Sequence, residues 1–227
     1  MSRINVVCDF DGTIGLEDVT NSLLDKFADA SWKDIEQQWL AGRFGSGECM
    51  ARQVALLEAS REEIDDYLDT VKIDPFFASF VEHCEQARNI ALTIVSDGID
   101  YAVARILGNH ALSHLRIKAN TLITLPDRRF RLDFPYAATQ CAAQAGTCKC
   151  SIALGWPTTI VIGDGTSDFC VASRADFVFA KDRLLAFCKT NALAHLPFGN
   201  FFDIEREFSQ VVEIVDDRSN FLAKNGA

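Results

Sequence analysis

The sequence predicts an α/β protein: a Rossmann-like parallel sheet with helices on both faces, plus a helical cap inserted after the first strand. Three observations lead to this fold class. Short runs of apolar and β-branched residues recur along the chain and stop at turns that contain aspartate and glycine. Amphipathic helical patterns fill most intervals between these runs. The interval between the first two runs holds several helical patterns, whereas a direct crossover between parallel strands needs only one helix.

Four segments have the length and composition of buried strands. Three of them end at an Asp-Gly or Gly-Asp turn, and the fourth is weaker. In chain order they cover residues 4–10, 90–95, 158–162 and 176–180. Residues 117–134 contain two further apolar runs on either side of a polar turn, which is typical of a β-hairpin flap.

The prediction of a cap rests on residues 16–74. Apolar residues recur there at helical spacing, and Ser60 to Glu63 has the sequence of a capping box, which opens a helix. We therefore predict two units. Residues 1–15 and 75–227 form an α/β catalytic core, and residues 16–74 form the helical cap.

Composition argues against several classes of partner. Lys and Arg number 22 against 32 Asp and Glu, and the resulting net charge of −10 repels nucleic acid backbones. No stretch reaches the ~20 apolar residues of a membrane helix, and the N-terminus lacks the features of a signal peptide. Eight cysteines are too few for a disulfide scaffold in a chain of 227 residues. We expect a cytoplasmic monomer or homodimer with reduced thiols and no nucleic acid or membrane partner.

The ends of three predicted strands carry carboxylates, hydroxyls and glycines. Because ligands bind beyond the carboxyl ends of the strands in an open parallel sheet, we expect these segments to meet. Asp9, Asp11 and Asp164 would then repel one another unless a cation compensates their charge. Oxygen ligands of this kind favour Mg²⁺. The three segments are residues 9–13 (Asp-Phe-Asp-Gly-Thr), 96–98 (Ser-Asp-Gly) and 163–168 (Gly-Asp-Gly-Thr-Ser-Asp).

The same segments also suit a phosphate group. Thr13 and Ser96 offer hydroxyl donors, and Gly98 allows a backbone N–H to approach an anion closely. A lysine would neutralise charge as a phosphoryl group transfers; Lys149 is the preferred candidate and Lys118 the alternative. The residues thus predict covalent transfer of a phosphoryl group from a small phosphorylated metabolite to a carboxylate of the protein, with a second carboxylate as general acid and base.

These motifs resemble those of the haloacid dehalogenase-like hydrolase superfamily. Residues 9–13 match its D-x-D-G-T motif. Ser96, Lys149 and residues 163–168 match its second, third and fourth motifs in the same order. The resemblance therefore covers the predicted core from residue 6 to about residue 180.

The resemblance implies a role for each motif residue. Asp9 would be the nucleophile and Asp11 the general acid and base. Mg²⁺ would be held by the side chains of Asp9 and Asp164 and by the backbone carbonyl of Asp11, while Asp168 would orient the metal's waters. The implied phosphate-binding residues are Thr13, Ser96, Gly98 and Lys149.

The inserted cap resembles that of the small helical cap subgroup, which includes phosphoserine phosphatase. Within it the chain is most similar to the 2-hydroxy-3-keto-5-methylthiopentenyl-1-phosphate phosphatases of methionine salvage, through residues 9–14, Asp18, the segment 148–150 and residues 176–182. The chain departs from that group at Gly15 and at Asp97, where a second glycine is usual. Arg52 is similar to the cap arginine that holds the carboxylate of phosphoserine. Asp18 and Arg52 are therefore candidate substrate contacts.

Other interpretations stay open at this point. Asp18 would otherwise stabilise the first turn of a helix, and Arg52 would be a cation on a helix surface. Cys141, Cys148 and Cys150 lack the spacing of a zinc site and are interpreted as ordinary thiols. The alternatives to a phosphomonoesterase of methionine salvage are phosphoserine phosphatase-like activity, phosphotransferase activity and a non-enzymatic phospho-receiver domain.

Overall fold

The computed structural model describes the backbone of residues 4–87 and 89–225 and the side chains of residues 4–87 and 89–217. Strands and helices alternate along most of the chain, as an α/β fold requires. In order the elements are β1 (Ile4–Cys8), α1 (Val19–Phe27), α2 (Trp32–Leu40), α3 (Ser46–Val54), α4 (Arg61–Leu68), α5 (Phe77–Gln86), β2 (Ile90–Ile99), α6 (Asp100–Asn109), β3 (Arg116–Thr124), β4 (Phe130–Asp133), α7 (Lys149–Ala153), β5 (Thr158–Gly163), a short 3₁₀ helix (Thr166–Asp168), α8 (Phe169–Ala172), β6 (Phe177–Ala180), α9 (Asp182–Thr190), β7 (His195–Pro197) and α10 (Phe201–Asn225).

The strands form one mostly parallel sheet in the order β4-β3-β2-β1-β5-β6-β7. β1 lies at the centre, where Cys8 is opposite Ile94 of β2 and Ile162 of β5. The carboxyl ends of β1, β2 and β5 therefore lie side by side. This arrangement confirms the predicted fold class.

Alternate residues of β1 pack into two separate apolar layers, because successive side chains of a strand point to opposite faces. Val6 and Cys8 belong to the layer that contains Phe80 of α5 and the buried residues of α10. Val7 belongs to the other layer, together with Leu184 of α9. Helices thus cover both faces of the sheet, as predicted.

Four helices, α1 to α4, lie between β1 and α5. The chain segments that lead into and out of this insertion are paired: the N–H of Leu16 donates to Lys72 over 3.2 Å, and the N–H of Asp74 donates to Ile14 over 2.8 Å. Because the insertion begins and ends at one point of the core, we propose that residues 16–74 form the cap. None of the helices within residues 4–87 and 89–225 combines the length and apolarity needed to cross a bilayer.

Two details differ from the expectations. The predicted hairpin is present as β3 and β4, but β3 pairs parallel with β2, so the hairpin extends the edge of the main sheet rather than forming a detached flap. β2 continues to Ile99 through an irregularity that follows Val95. Asp and Gly have low strand propensity, so the sequence did not predict that β2 continues through Ser-Asp-Gly. Pairing with neighbouring strands overrides this low propensity.

The predicted capping box is present at the start of α4. The Ser60 hydroxyl accepts from the N–H of Glu63 over 3.2 Å, and the Glu63 carboxylate accepts from the N–H of Ser60 over 2.7 Å. We expect Ser60→Ala to lower the free energy of unfolding by about 1 kcal/mol, because the first turn loses an acceptor. Urea denaturation measures this. Ser31→Ala is the matched control, since Ser31 precedes α2 without capping it, and a loss there as large as that of Ser60→Ala would contradict the capping argument.

Candidate active site

The site begins where β1 ends. The N–H of Asp9 donates to the carbonyl of Ile162 on β5 over 2.9 Å, which fixes the direction in which the chain leaves the sheet. Asp9 is only 6% exposed, and its Oδ1 accepts from the N–H of Phe10 over 2.8 Å. The carboxylate is therefore held in one orientation.

Three carboxylates from two strand ends meet at this point. Asp9, Asp164 and Asp168 each place an oxygen within 4.8 Å of the other two. Asp164 follows β5, and the 3₁₀ helix returns Asp168 to the same place, where its Oδ2 accepts from the N–H groups of Asp164 and Gly165. The structure thus brings together three of the four predicted metal residues by their side chains. The side chain of the fourth, Asp11, turns towards β2 and α1.

Lys149 lies inside this acidic cluster. Its ammonium is 2.8 Å from Asp9 Oδ2 and 2.7 Å from Asp168 Oδ1, and it donates to the Ser167 hydroxyl over 3.0 Å. Burial lowers the pKa of Lys149, but the carboxylates of Asp168 and Asp9 outweigh that effect and raise it above its ordinary value. Lys118, the alternative, instead lies over the ring of Tyr136. The geometry therefore favours Lys149.

One ammonium does not balance the charge of three carboxylates, of which Asp9 and Asp168 are buried and Asp164 is half-buried. Burial, and then repulsion by Asp168, raise the pKa of Asp9 well above its ordinary value even though Lys149 opposes the rise. Burial also raises the pKa of Asp164, which Lys149 again opposes. Negative charge is therefore in excess at the cluster, which is the electrostatic environment that a bound cation stabilises.

Asp11 lies beside the cluster with both of its carboxylate oxygens engaged. Oδ1 accepts from the N–H of Val19 over 2.9 Å, and Oδ2 accepts from the Ser96 hydroxyl over 3.3 Å. Burial raises the pKa of Asp11 to about 7, and the negative charge of Asp18 adds to the rise. Asp11 therefore holds a proton much more readily than an exposed aspartate does.

The predicted phosphate residues differ in how directly they face the cavity. Ser96, Gly98 and Lys149 line it. A Cβ atom on Gly98 would lie 2.6 Å from Asp11 Oδ2, so only glycine fits there. Thr13 is fully buried, and its hydroxyl donates to Asp164 Oδ1 over 2.6 Å. The structure therefore makes Thr13 a support for the acidic cluster.

A cavity of about 840 Å³ opens above these residues, between the core and α1 to α3. Its floor includes Asp9, Asp11 and Asp164. The opposite wall comes from residues 36–53 and includes three large apolar side chains together with Glu36 and Arg43. The apolar side chains are Trp39, Phe44 and Met50.

Comparison with known proteins shows which family has this fold and site. The sequence profile of the haloacid dehalogenase-like hydrolases matches residues 6–173. The chain belongs to the haloacid dehalogenase-like hydrolase family. This confirms the resemblance read from the four motifs.

Several similar proteins bear the name 2-hydroxy-3-keto-5-methylthiopentenyl-1-phosphate phosphatase, and two of them show the extent of the similarity. The protein from Geobacillus kaustophilus is 35% identical over 89% of this chain and 94% of its own length. The protein from an Exiguobacterium species is 31% identical over 88% of this chain and 94% of its own length. The similarity to this group, predicted from short motifs, thus extends over nearly the whole chain.

Solved structures of phosphoserine phosphatase share the fold of this hydrolase. The structure of phosphoserine phosphatase as an analogue of its phospho-aspartyl intermediate superimposes with a TM-score of 0.65 at 17% identity. The match covers 91% of this chain and 99% of the phosphoserine phosphatase chain. A substrate-bound complex superimposes with a TM-score of 0.66 at 16% identity and covers 91% and 98% of the two chains. At this identity the likeness concerns the fold alone.

The two candidate substrate residues have different positions in this hydrolase. Asp18 lines the cavity and also caps α1, where it accepts from the N–H of Asn21 over 2.8 Å. Arg52 lies outside the cavity, forms an ion pair with Glu48 and stacks on Phe44. The prediction of Arg52 as a substrate clamp is therefore not supported, because its position on α3 directs it to the helix surface.

Sequence reasoning missed two residues of the site. Arg43, in the loop between α2 and α3, lines the cavity where Arg52 was expected to do so. Asp97 links three segments: it accepts from the Thr147 N–H over 2.9 Å and from the Ser46 hydroxyl over 3.0 Å, and its carbonyl accepts from Asn120 over 2.6 Å. The sequence signal for Asp97 was its departure from the family pattern, which usually has a glycine at this position. No sequence pattern pointed to Arg43.

Proposed function

We propose that this chain is a Mg²⁺-dependent phosphomonoesterase that hydrolyses 2-hydroxy-3-keto-5-methylthiopentenyl-1-phosphate through an aspartyl-phosphate on Asp9. The observation that carries the proposal is the position of Asp9 on the cavity floor, where it contacts Lys149 and shares a cluster with Asp164 and Asp168. A carboxylate held this way suits attack on phosphorus better than structural support of the strand end.

Asp9 performs the first step. One of its carboxylate oxygens forms a bond to phosphorus while the bond from phosphorus to the ester oxygen breaks. The N–H of Phe10 orients the carboxylate, and Lys149 offsets the negative charge on the transferring group. Asp11 gives its proton to the departing ester oxygen, so that the leaving group departs as an alcohol or enol.

Asp11 performs the second step as a base. It takes a proton from water, the water oxygen bonds to phosphorus, and the bond between phosphorus and the Asp9 carboxylate breaks. Inorganic phosphate is released and both aspartates return to their starting states. The hydrogen bonds from Val19 and Ser96 keep Asp11 in place between the two steps.

The donor set fits Mg²⁺. All ligand atoms of the cluster are carboxylate oxygens, they lie within 4.8 Å of one another, and their negative charge exceeds what Lys149 balances. We propose that the side chains of Asp9 and Asp164 and the backbone carbonyl of Asp11 would hold the ion, with Asp168 supporting its waters. When bound, Mg²⁺ supplies positive charge that allows an anionic nucleophile to approach an anionic phosphate.

The cap side of the cavity supports a substrate with an apolar end. Trp39, Phe44 and Met50 offer a surface that would contact a methylthio group while the phosphate lies on the floor. Glu36 and Arg43 on the same wall favour a second candidate, a phosphoserine phosphatase-like activity, since they offer partners for an ammonium and a carboxylate. Full-length similarity to the methylthiopentenyl phosphate phosphatases supports the first candidate.

Phosphate release from a panel of substrates tests this proposal. The panel contains the methylthiopentenyl phosphate, phosphoserine and a generic aryl phosphate, each with Mg²⁺ and with EDTA. We expect kcat/KM for the methylthiopentenyl phosphate to exceed that for phosphoserine by at least about 100-fold. The reason is that the ammonium and carboxylate of phosphoserine would lose their water against the apolar side chains of the cavity wall. We expect EDTA to remove the activity towards all three.

Each outcome of the panel has a distinct meaning. Preference for phosphoserine would leave the mechanism intact and replace the substrate. Undiminished turnover in EDTA would contradict the proposed metal. Transfer of phosphate to an added alcohol instead of water would identify a phosphotransferase, and a stable phosphoprotein without turnover would identify a receiver domain.

A further inference from the structure

Two thiols outside the proposed mechanism lie against each other at the edge of the catalytic cavity. The Sγ atoms of Cys150 in α7 and Cys170 in α8 are 2.6 Å apart, although the residues are separated by 20 positions. Both residues line the cavity. Cys150 is buried and Cys170 is exposed.

We propose that Cys150 and Cys170 form a reversible disulfide when the protein meets a peroxide. The sulfurs of a disulfide lie about 2.05 Å apart, so these two atoms would need to approach by roughly 0.5 Å. Their helices are already joined, because Lys149, next to Cys150, pairs over 2.7 Å with Asp168, which precedes α8. The bridge can therefore form without separating that ion pair.

Accessibility selects this pair among the eight cysteines. All eight lie within the part of the chain that the structure describes, and Cys170 is the single exposed one. Cys141 and Cys148 also neighbour each other, but Cys148 is buried and Cys141 is only half-buried. A dissolved oxidant therefore meets the Cys170 sulfur first, with Cys150 in contact behind it.

The chemistry balances with one molecule of hydrogen peroxide. The Cys170 sulfur attacks a peroxide oxygen, an S–O bond forms, the O–O bond breaks, and one water leaves. The Cys150 sulfur then attacks the sulfur of this sulfenic acid, an S–S bond forms, the S–O bond breaks, and a second water leaves. Two thiols lose two electrons in total, peroxide gains them, and a dithiol reductant reverses the change.

The test treats the full-length protein with one equivalent of hydrogen peroxide. We expect two of the eight thiols to disappear, and a peptide that joins Cys150 to Cys170 to be found by mass spectrometry and lost after treatment with dithiothreitol. Cys170→Ser should abolish this peptide, and the matched control Cys141→Ser should retain it. A bridge between other cysteines, or eight remaining thiols in the wild type, would overturn the proposal.

A second measurement does not depend on peptide mapping. Because the bridge closes a loop of about 20 residues, we expect oxidation to raise the melting temperature by roughly 10 °C in the wild type and not in Cys170→Ser. An equal rise in both proteins would show that the stabilisation comes from elsewhere. Both measurements are independent of the proposed substrate, so their failure would leave the phosphatase proposal unaffected.

Discussion

Asp9→Asn is expected to lower kcat by at least about 10⁴-fold in the presence of Mg²⁺. An amide of nearly the same shape keeps an acceptor for the Phe10 N–H, so the strand end should fold as before. The amide is a far weaker nucleophile and a poorer metal ligand than a carboxylate, so the covalent intermediate does not form. Steady-state phosphate release measures the loss, and acid quenching with labelled substrate measures the phosphoprotein, which should be present only in the wild type.

A matched aspartate variant separates chemistry from general charge effects. Asp66 is exposed on α4 and lies outside the cavity, so Asp66→Asn should retain wild-type turnover. The melting temperature of both variants should stay close to that of the wild type. If Asp9→Asn turned over substrate at the wild-type rate, Asp9 would not be the nucleophile.

Lys149→Met is expected to reduce both activity and stability. The Lys149 ammonium contacts two carboxylates that are at least nine-tenths buried, those of Asp9 and Asp168, and its removal takes away the positive charge that offsets theirs. We expect a loss of about 3 kcal/mol in the free energy of unfolding without Mg²⁺. We also expect kcat to fall by about 10²- to 10³-fold, because the transferring phosphoryl group would lose the positive charge that contacts Asp9. Urea denaturation and steady-state kinetics measure the two effects.

Lys118→Met is the control for this second change. Lys118 is half-buried on β3 and lies over the ring of Tyr136, so its removal should affect neither quantity by more than a small amount. Added Mg²⁺ should restore part of the stability of Lys149→Met, since a cation at the cluster replaces the missing positive charge. An equal effect of the two lysine changes, or wild-type activity in Lys149→Met, would contradict the assignment.

The positions of the strands along the chain and the residues that follow them were predictable because both depend on local patterns. β1 and β5 are apolar runs bounded by turns, and this composition is typical of strands that are buried on both faces of a parallel sheet. The position of Asp9 and Asp164 then follows from the rule that strand ends form the ligand site. The capping box at Ser60 was equally local.

Contacts between distant segments were not predictable in this way. Arg52 was assigned to the cavity because it resembles the cap arginine of phosphoserine phosphatase, but the packing of α3 leaves Arg52 outside the cavity and Arg43 lines it instead. The hydroxyl of Thr13 was expected to face phosphate, yet it donates to Asp164, which is 151 residues away in the chain. Likewise, no sequence pattern relates Cys150 to Cys170.

The amino-acid sequence by itself determined the chemistry of this protein: which residues follow which strands, and hence the carboxylates, hydroxyls and lysine that the site contains. Only the tertiary structure decided how those groups are paired, which cap residues reach the cavity and which thiols touch. The physical reason is that strand and helix formation respond to neighbours within a few residues, whereas the pairing of buried groups depends on the packing of segments that the chain brings together from far apart.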